Sequence, residues 1–369
     1  MSSALDLLPR VLAGELRAVA RAIRSVDDRT PGSRNLLKAL WPHTGRAWVL
    51  GVTGNPGAGK STLCDRLIGA YRERGSRVGV VAVDPTSPYT GGAILGDRIR
   101  MSRHTMDEGV FIRSLATRGH LGGLSQSARD VVRVFDAAGY DVVIVETVGV
   151  GQDELEITRT AHSTLVVMAP GMGDEVQAIK AGILECADVF AVNKADREGA
   201  DGAVRDLELM IALGDDTIRG LSKSRGHATH TAADGFAASS RVDGPERWRP
   251  PIVKCVSTRG EGIAELVAGL DRHRAWGLDR HRAWGEGTET GRARRRDRLA
   301  EEVRDALREA LIEAAVHDLG GAIEEAVRHV EGREVDPYTA TERLVEEFRV
   351  RATEVPAPSD PPVVQTTSK

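Results

Sequence analysis

Gly54-Asn55-Pro56-Gly57-Ala58-Gly59-Lys60-Ser61 has the spacing of a phosphate-binding loop, with Thr62 continuing it. In G-x-x-x-x-G-K-[ST], the glycines let the backbone curl so that successive N–H groups point at phosphate oxygens. The helix that must follow adds the partial positive charge of its N-terminus. Lys60 would reach the β- and γ-phosphates, and the Ser61 hydroxyl would bind Mg²⁺. Three further stretches complete a nucleotide site. Asp141–Glu146 is an apolar run ending in a carboxylate, with Gly149 three positions on. Glu146 at that strand end would hold the metal, and the Gly149 N–H would contact a γ-phosphate. Asn193-Lys194-Ala195-Asp196 closes another apolar run. A carboxylate at Asp196 can accept both the N1–H and the 2-amino group of guanine, a donor pair that adenine lacks, while Lys194 packs its stem over the base. Val256-Ser257-Thr258 at the last strand end would back the base, so the set points to GTP rather than ATP.

Such residues need a sheet to bring them together. Apolar runs at Trp48–Val52, Val78–Val83, Val110–Ile112, Val142–Val145, Leu165–Met168, Val189–Val192 and Ile252–Val256 alternate with helical segments. Continuous rather than alternating runs suit strands buried on both faces. The expected fold is α/β, a doubly wound, mostly parallel sheet with helical extensions at both ends, and ligands at the carboxyl ends of its strands. The expected organisation is a helical extension over 1–45 and a nucleotide-binding domain over 46–270. A C-terminal helical arm over 271–350 and a disordered Pro/Ser/Thr-rich tail over 351–369 follow. Residues 8–25 carry apolar groups at helical spacing. Residues 220–247 read as a mobile insertion, and His227 and His230 within it as solvated rather than metal-binding. Leu270–Gly277 recurs unchanged as Leu278–Gly285, a local tandem duplication. Val303, Leu307, Leu311, Ala315 and Leu319 form an apolar helical stripe, and Asp336-Pro337 restarts a helix with proline at its first position.

The chain has 369 residues and a net charge of −4, so no global field favours nucleic acid or an anionic membrane. Few aromatics argue against a stacking platform for single strands. Three scattered cysteines, Cys64, Cys186 and Cys255, fit reduced thiols better than disulfides or a zinc site. No signal-peptide core and no membrane-length apolar run is visible, so a cytoplasmic protein is expected.

Gly54–Thr62, Val83–Met101, Glu146–Glu154, Pro170–Leu184 and Asn193–Asp196 together resemble the MeaB/ArgK family, over about residues 8 to 350. The family comprises GTPases that attend adenosylcobalamin-dependent acyl-CoA mutases such as methylmalonyl-CoA mutase. The resemblance implies that Asp84, Asp97 and Glu146 are the acids around Mg²⁺, with Asp97 in a first switch and Glu146–Glu154 a second. Gly171–Lys180 would be an additional switch, in which Asp174 and Lys180 couple nucleotide state to the partner. It also implies a homodimer through the C-terminal helices. The implied partners are the mutase and a cobalamin adenosyltransferase. No D-x-H-x-x-G cobalamin motif occurs, so that cofactor would sit on partners.

Hydrolysis would proceed by in-line attack of water, with Lys60, Mg²⁺ and loop amides stabilising charge. Val150 stands where related enzymes place a water-orienting glutamine, with Gln152 further on, so turnover alone should be slow and partner-stimulated. Three other readings compete. The first is a kinase of a lysine/arginine/ornithine transport system, an older label for the family. The second is a nickel-insertion GTPase, which would want a His-rich tract or paired cysteines. The third is a nucleotide-switched scaffold whose hydrolysis is incidental.

Overall fold

Strand β1 (Trp48–Gly54) is buried along its whole length, as are β4 (Val142–Thr147), β5 (Ser163–Met168) and β6 (Val189–Val192). With β2 (Val78–Asp84), β3 (Val110–Ala116) and β7 (Ile252–Lys254) they form a parallel sheet of order β3-β2-β4-β1-β5-β6-β7. All seven expected apolar runs are strands of this sheet. The computed structural model describes residues 4–84, 101–104, 106–116, 123–147, 161–171, 187–223, 248–280 and 289–354. The chain divides into two compact units, Met1–Arg280 and His281–Lys369.

Side chains alternate along each strand, so the sheet needs two apolar covers. On one face Val49, Val81, Val143 and Val145 meet α2 (Leu16–Asp27), α3 (Ser33–Leu40) and α5 (Gly123–Ala137). The N-terminal helices thus share a core with the sheet. Further along that face, Val166, Met168, Phe190 and Val192 pack with Leu207 of α6 (Ala200–Lys223). On the other face Leu50, Val52, Ile144 and Val167 meet α4 (Lys60–Glu73) and α7 (Ile263–Arg280).

The helical pattern at 8–25 is two helices, α1 (Leu8–Leu12) and α2, rather than one. Gly14 takes φ +70° between them, a left-handed geometry that ends a helix. Helix α6 continues into 220–223, inside the stretch read as an insertion; 224–247 lies outside the described residues.

The first copy of the repeated octapeptide is a working part of this unit. Leu270 is fully buried, and His273 sits at the amino end of the strands. Its Nδ1 lies 2.8 Å from Ser163 Oγ and its Nε2 3.2 Å from Asp188 Oδ1. The indole of Trp48 donates to the same Ser163 oxygen at 3.3 Å, and Trp248 and Trp276 flank the imidazole. The order serine, histidine, aspartate is that of a nucleophilic triad. However, Ser163 is 1 % and His273 5 % exposed, so no substrate reaches it. It is a sealed polar network that satisfies buried groups.

In the second unit α8 (Glu289–Glu331) turns at residues 332–336 into α9 (Pro337–Glu354). Asp336 caps α9: its carboxylate accepts the N–H groups of Tyr338 and Thr339, both at 3.0 Å, and the Thr339 hydroxyl at 2.6 Å. The Arg351 guanidinium donates to the Asp318 carbonyl, so α9 runs back antiparallel along α8. Among the described residues no helix is long and apolar enough to cross a membrane.

Candidate nucleotide site

Strand order reverses at β1, which lies between β4 and β5, so a crevice opens beyond its carboxyl end. The loop from Gly54 to Gly59 fills that position. Gly54 has φ +129°, and a Cβ there would stand 2.0 Å from the Val167 carbonyl oxygen of the neighbouring strand. Gly59 has φ +92°, and its Cβ would meet the Asn193 amide at 2.4 Å. Only glycine fits these positions, and the cause is tertiary as well as conformational. Gly59 caps α4, whose first turn directs its N–H groups into the loop. Pro56 and Gly57 lie at the exposed tip, Ala58 is buried beneath it, and Thr62 is half-buried in the first turn of α4. The Lys60 ammonium is buried and donates to the carbonyls of Gly54 at 2.6 Å and Asn55 at 3.0 Å.

Ser61 Oγ donates to Glu146 Oε1 at 2.7 Å, and both residues are buried. A hydroxyl and a carboxylate side by side at a helix N-terminus are the hard oxygen donors Mg²⁺ prefers, so these residues fit that ion. Asp84 closes β2 in register with Ala116, on the strand next to β4. Asp97, Gly149, Asp174 and Lys180 lie outside the described residues.

Asn193 joins the phosphate loop to the loop after β7. Its amide donates to the Ala58 carbonyl at 2.8 Å, and its Oδ1 accepts the Ser257 N–H at 3.1 Å. The residue is 1 % exposed, so it acts on the site through backbone rather than by touching a base. Lys194, at φ +55°, donates to the Gly57 carbonyl at 2.6 Å, laying its stem along the mouth of the loop. Asp196 is exposed beside it, 3.6 Å from Arg259. Cys255, beneath the loop after β7, is buried, and burial pushes its thiol up to about 12, so it stays protonated and inert.

Two residues here carry no motif. Arg66 on α4 donates to the Ser257 carbonyl at 2.7 Å and the Thr258 carbonyl at 2.6 Å. Arg259 pairs with Glu261 at 2.7 Å as well as facing Asp196. An arginine on the helix after a phosphate loop is unremarkable in sequence, and its partners stand 191 and 192 positions away.

The geometry can therefore hold a triphosphate at the Gly54 loop and a base against Asp196 and Thr258. Comparison with known proteins gives the family. The family model described as methylmalonyl Co-A mutase-associated GTPase MeaB matches residues 19–318. A Pyrococcus abyssi protein assigned as a GTPase by name only is 42% identical over 93% of this chain and 96% of its own length. GTPase ArgK of Escherichia coli is 39% identical over 71% of this chain and 73% of its own. The crystal structure of a LAO/AO transport system kinase superposes with a TM-score of 0.59 at 25% identity, covering 94% of this chain and 97% of that one. Motifs, sheet order and these likenesses lead to one assignment: the chain belongs to the MeaB family of methylmalonyl-CoA mutase-associated GTPases.

Proposed function

We propose that this protein hydrolyses GTP to gate cofactor loading on an adenosylcobalamin-dependent acyl-CoA mutase, and to protect or reactivate it. One observation carries the guanine part: Asn193 ties the phosphate loop to the Ser257–Thr258 loop and leaves Asp196 beside it facing outward. A purine bound there would present its edge to a carboxylate that only a guanine-type donor pair satisfies. Ser61 and Glu146 would hold Mg²⁺, which when bound neutralises charge on the β- and γ-phosphates. Lys60 would exchange the Gly54 and Asn55 carbonyls for phosphate oxygens, and the first-turn amides of α4 would stabilise charge on the transferred group. The Gly149 N–H would contact the γ-phosphate, a role read from its spacing after Glu146; Asp97, Asp174 and Lys180 are assigned switch and coupling roles by resemblance alone, as Asp84 is to the metal. The mutase assignment rests on the family, as does a homodimer through α8 and α9.

Turnover of GTP should be slow in the isolated protein and rise when a mutase is added, with ATP a poor substrate. Lys60→Ala should lower GTP turnover by about a hundredfold or more. Phosphate-release kinetics with and without methylmalonyl-CoA mutase check this. Equal use of ATP and GTP would refute the guanine reading, and a rate indifferent to mutase would refute the chaperone reading. If Lys60→Ala still protects the mutase, a scaffold is favoured. The structural likeness to the LAO/AO transport system kinase keeps one alternative in view. Transfer of radiolabelled phosphate from nucleotide to a transport-binding protein would favour it.

A further inference from the structure

Between Val256 and Arg259 the loop after β7 presents three successive N–H groups, at Ser257, Thr258 and Arg259. The first donates to Asn193 Oδ1 at 3.1 Å and the third to the Val256 carbonyl at 3.0 Å. Among the described residues the Thr258 N–H meets no acceptor. The direction of that N–H is set by the other end of its own peptide. A trans peptide points its C=O and N–H oppositely, and the chain has no cis bond among its described residues. The Ser257 carbonyl is pulled by Arg66 Nε at 2.7 Å, so the Thr258 N–H is turned away from α4. The next peptide is fixed the same way, its carbonyl by Arg66 Nη2 at 2.6 Å and its N–H by Val256. A guanidinium donates two bonds from a rigid fork, so both peptide planes are set together.

We infer that Arg66 is a positioning residue for base selection: by holding the Ser257 and Thr258 carbonyls it aims the Thr258 N–H at the 6-oxo group of a bound guanine. Arg66 lies on the helix that begins with Lys60 and Ser61, so one helix sets both the phosphate loop and the base loop. The inference rests on the guanine reading above and deepens it. Phosphate-side contacts do not run through Arg66, so its loss should register at one edge of the base.

The test compares binding of GDP, 6-thio-GDP, IDP and ADP to full-length wild type, Arg66→Ala and Arg66→Lys. A 6-thio group is a weak acceptor but keeps the donor pair for Asp196; inosine lacks the 2-amino group but keeps the 6-oxo group. Wild type should prefer GDP over 6-thio-GDP by about tenfold, the upper size of one net hydrogen bond. In Arg66→Ala that preference should collapse towards one, while the preference for GDP over IDP stays as in wild type. Arg66→Lys, with a single donor head, should fall between, and it decides the matter if Arg66→Ala does not fold. Equal weakening of GDP, 6-thio-GDP and IDP would make Arg66 merely structural and overturn the inference, as would an unchanged preference. A wild type that does not prefer GDP to ADP would overturn the guanine reading and this inference with it.

Discussion

At the scale of single residues, burial sets the chemistry more than motif identity does. His273 and Asp188 show it away from the nucleotide. Burial pushes the His273 imidazole down to about 4 from a usual 6.5. It also pushes the Asp188 carboxyl up to about 7 from 3.8, against the lowering effect of the Thr164 N–H. Between about pH 4 and 6.5 folded His273 binds fewer protons than it does unfolded, so its contribution to stability rises with pH. Between 3.8 and about 7 folded Asp188 binds more protons than unfolded, so its contribution falls with pH. The two slopes oppose each other where they overlap, and the wild-type pair should contribute a nearly flat profile there. Removing either member exposes the other. Asp188→Asn should lose stability as pH falls from 6.5 to 4, and His273→Gln should lose stability as pH rises from 4 to 7. Denaturant midpoints for the three proteins across this range check the signs; variant profiles parallel to wild type would contradict them. The Ser163–His273–Asp188 chain itself was invisible in sequence because nothing marks three residues spread over 110 positions as neighbours.

Elements were more legible than contacts. Seven apolar runs became seven strands: at the five central ones burial on both faces demands apolar residues, a local property, while the edge strands β3 and β7 are only partly buried. The glycine loop was equally readable, since φ +129° at Gly54 and φ +92° at Gly59 demand glycine whatever surrounds them. What stayed hidden depends on partners far along the chain: Arg66 on two carbonyls and Asn193 as a bridge. The duplicated octapeptide shows the same division. Its identity is plain in the sequence, but the use of its first copy is a fact of packing. Leu270, His273 and Trp276 all come from that copy, and Trp276 lies against Trp248 at 5.6 Å between ring centres. Because the copies are identical, deleting either one yields the same polypeptide, and a single remaining copy still follows Gly269 directly. The shortened protein should therefore melt within about 2 °C of wild type and bind GDP within about twofold, since Leu270, His273 and Trp276, the packed residues described in this stretch, all remain. Thermal scans and nucleotide titration check this. A drop of more than about 5 °C would mean that the second copy carries packing that Leu270–Trp276 does not.

At the scale of the molecule, the first unit holds the site and the second holds a surface. Helix α8 has 43 residues, about 64 Å, whereas α9 has 18, about 27 Å. The hairpin closes on buried Leu319 and Ala340. Towards its amino end α8 continues past that closure, with Val303, Leu307 and Leu311 at least half exposed on one stripe and Ile312 and Val316 beside them. An apolar stripe of this length on a helix otherwise dense in charge is the pattern of an interface. The proposed homodimer through these helices makes it a measurable one. Burying an exposed leucine contributes about 1.5 kcal/mol or more. A twofold interface counts Leu307 and Leu311 twice, so about 6 kcal/mol, or some four decades in dissociation constant, rides on them. Leu307→Asp with Leu311→Asp should convert a dimer into a monomer in sedimentation equilibrium at micromolar protein. Basal GTP turnover should stay within about twofold of wild type, because the substituted residues belong to the second unit and the first unit's sequence is unchanged. A wild type already monomeric at these concentrations would refute the dimer, and a double variant that stays dimeric would place the interface elsewhere. If turnover fell together with dimerisation, the stripe would be part of the switch rather than a platform for it, because an interface that only joins two copies has no route to the phosphate loop.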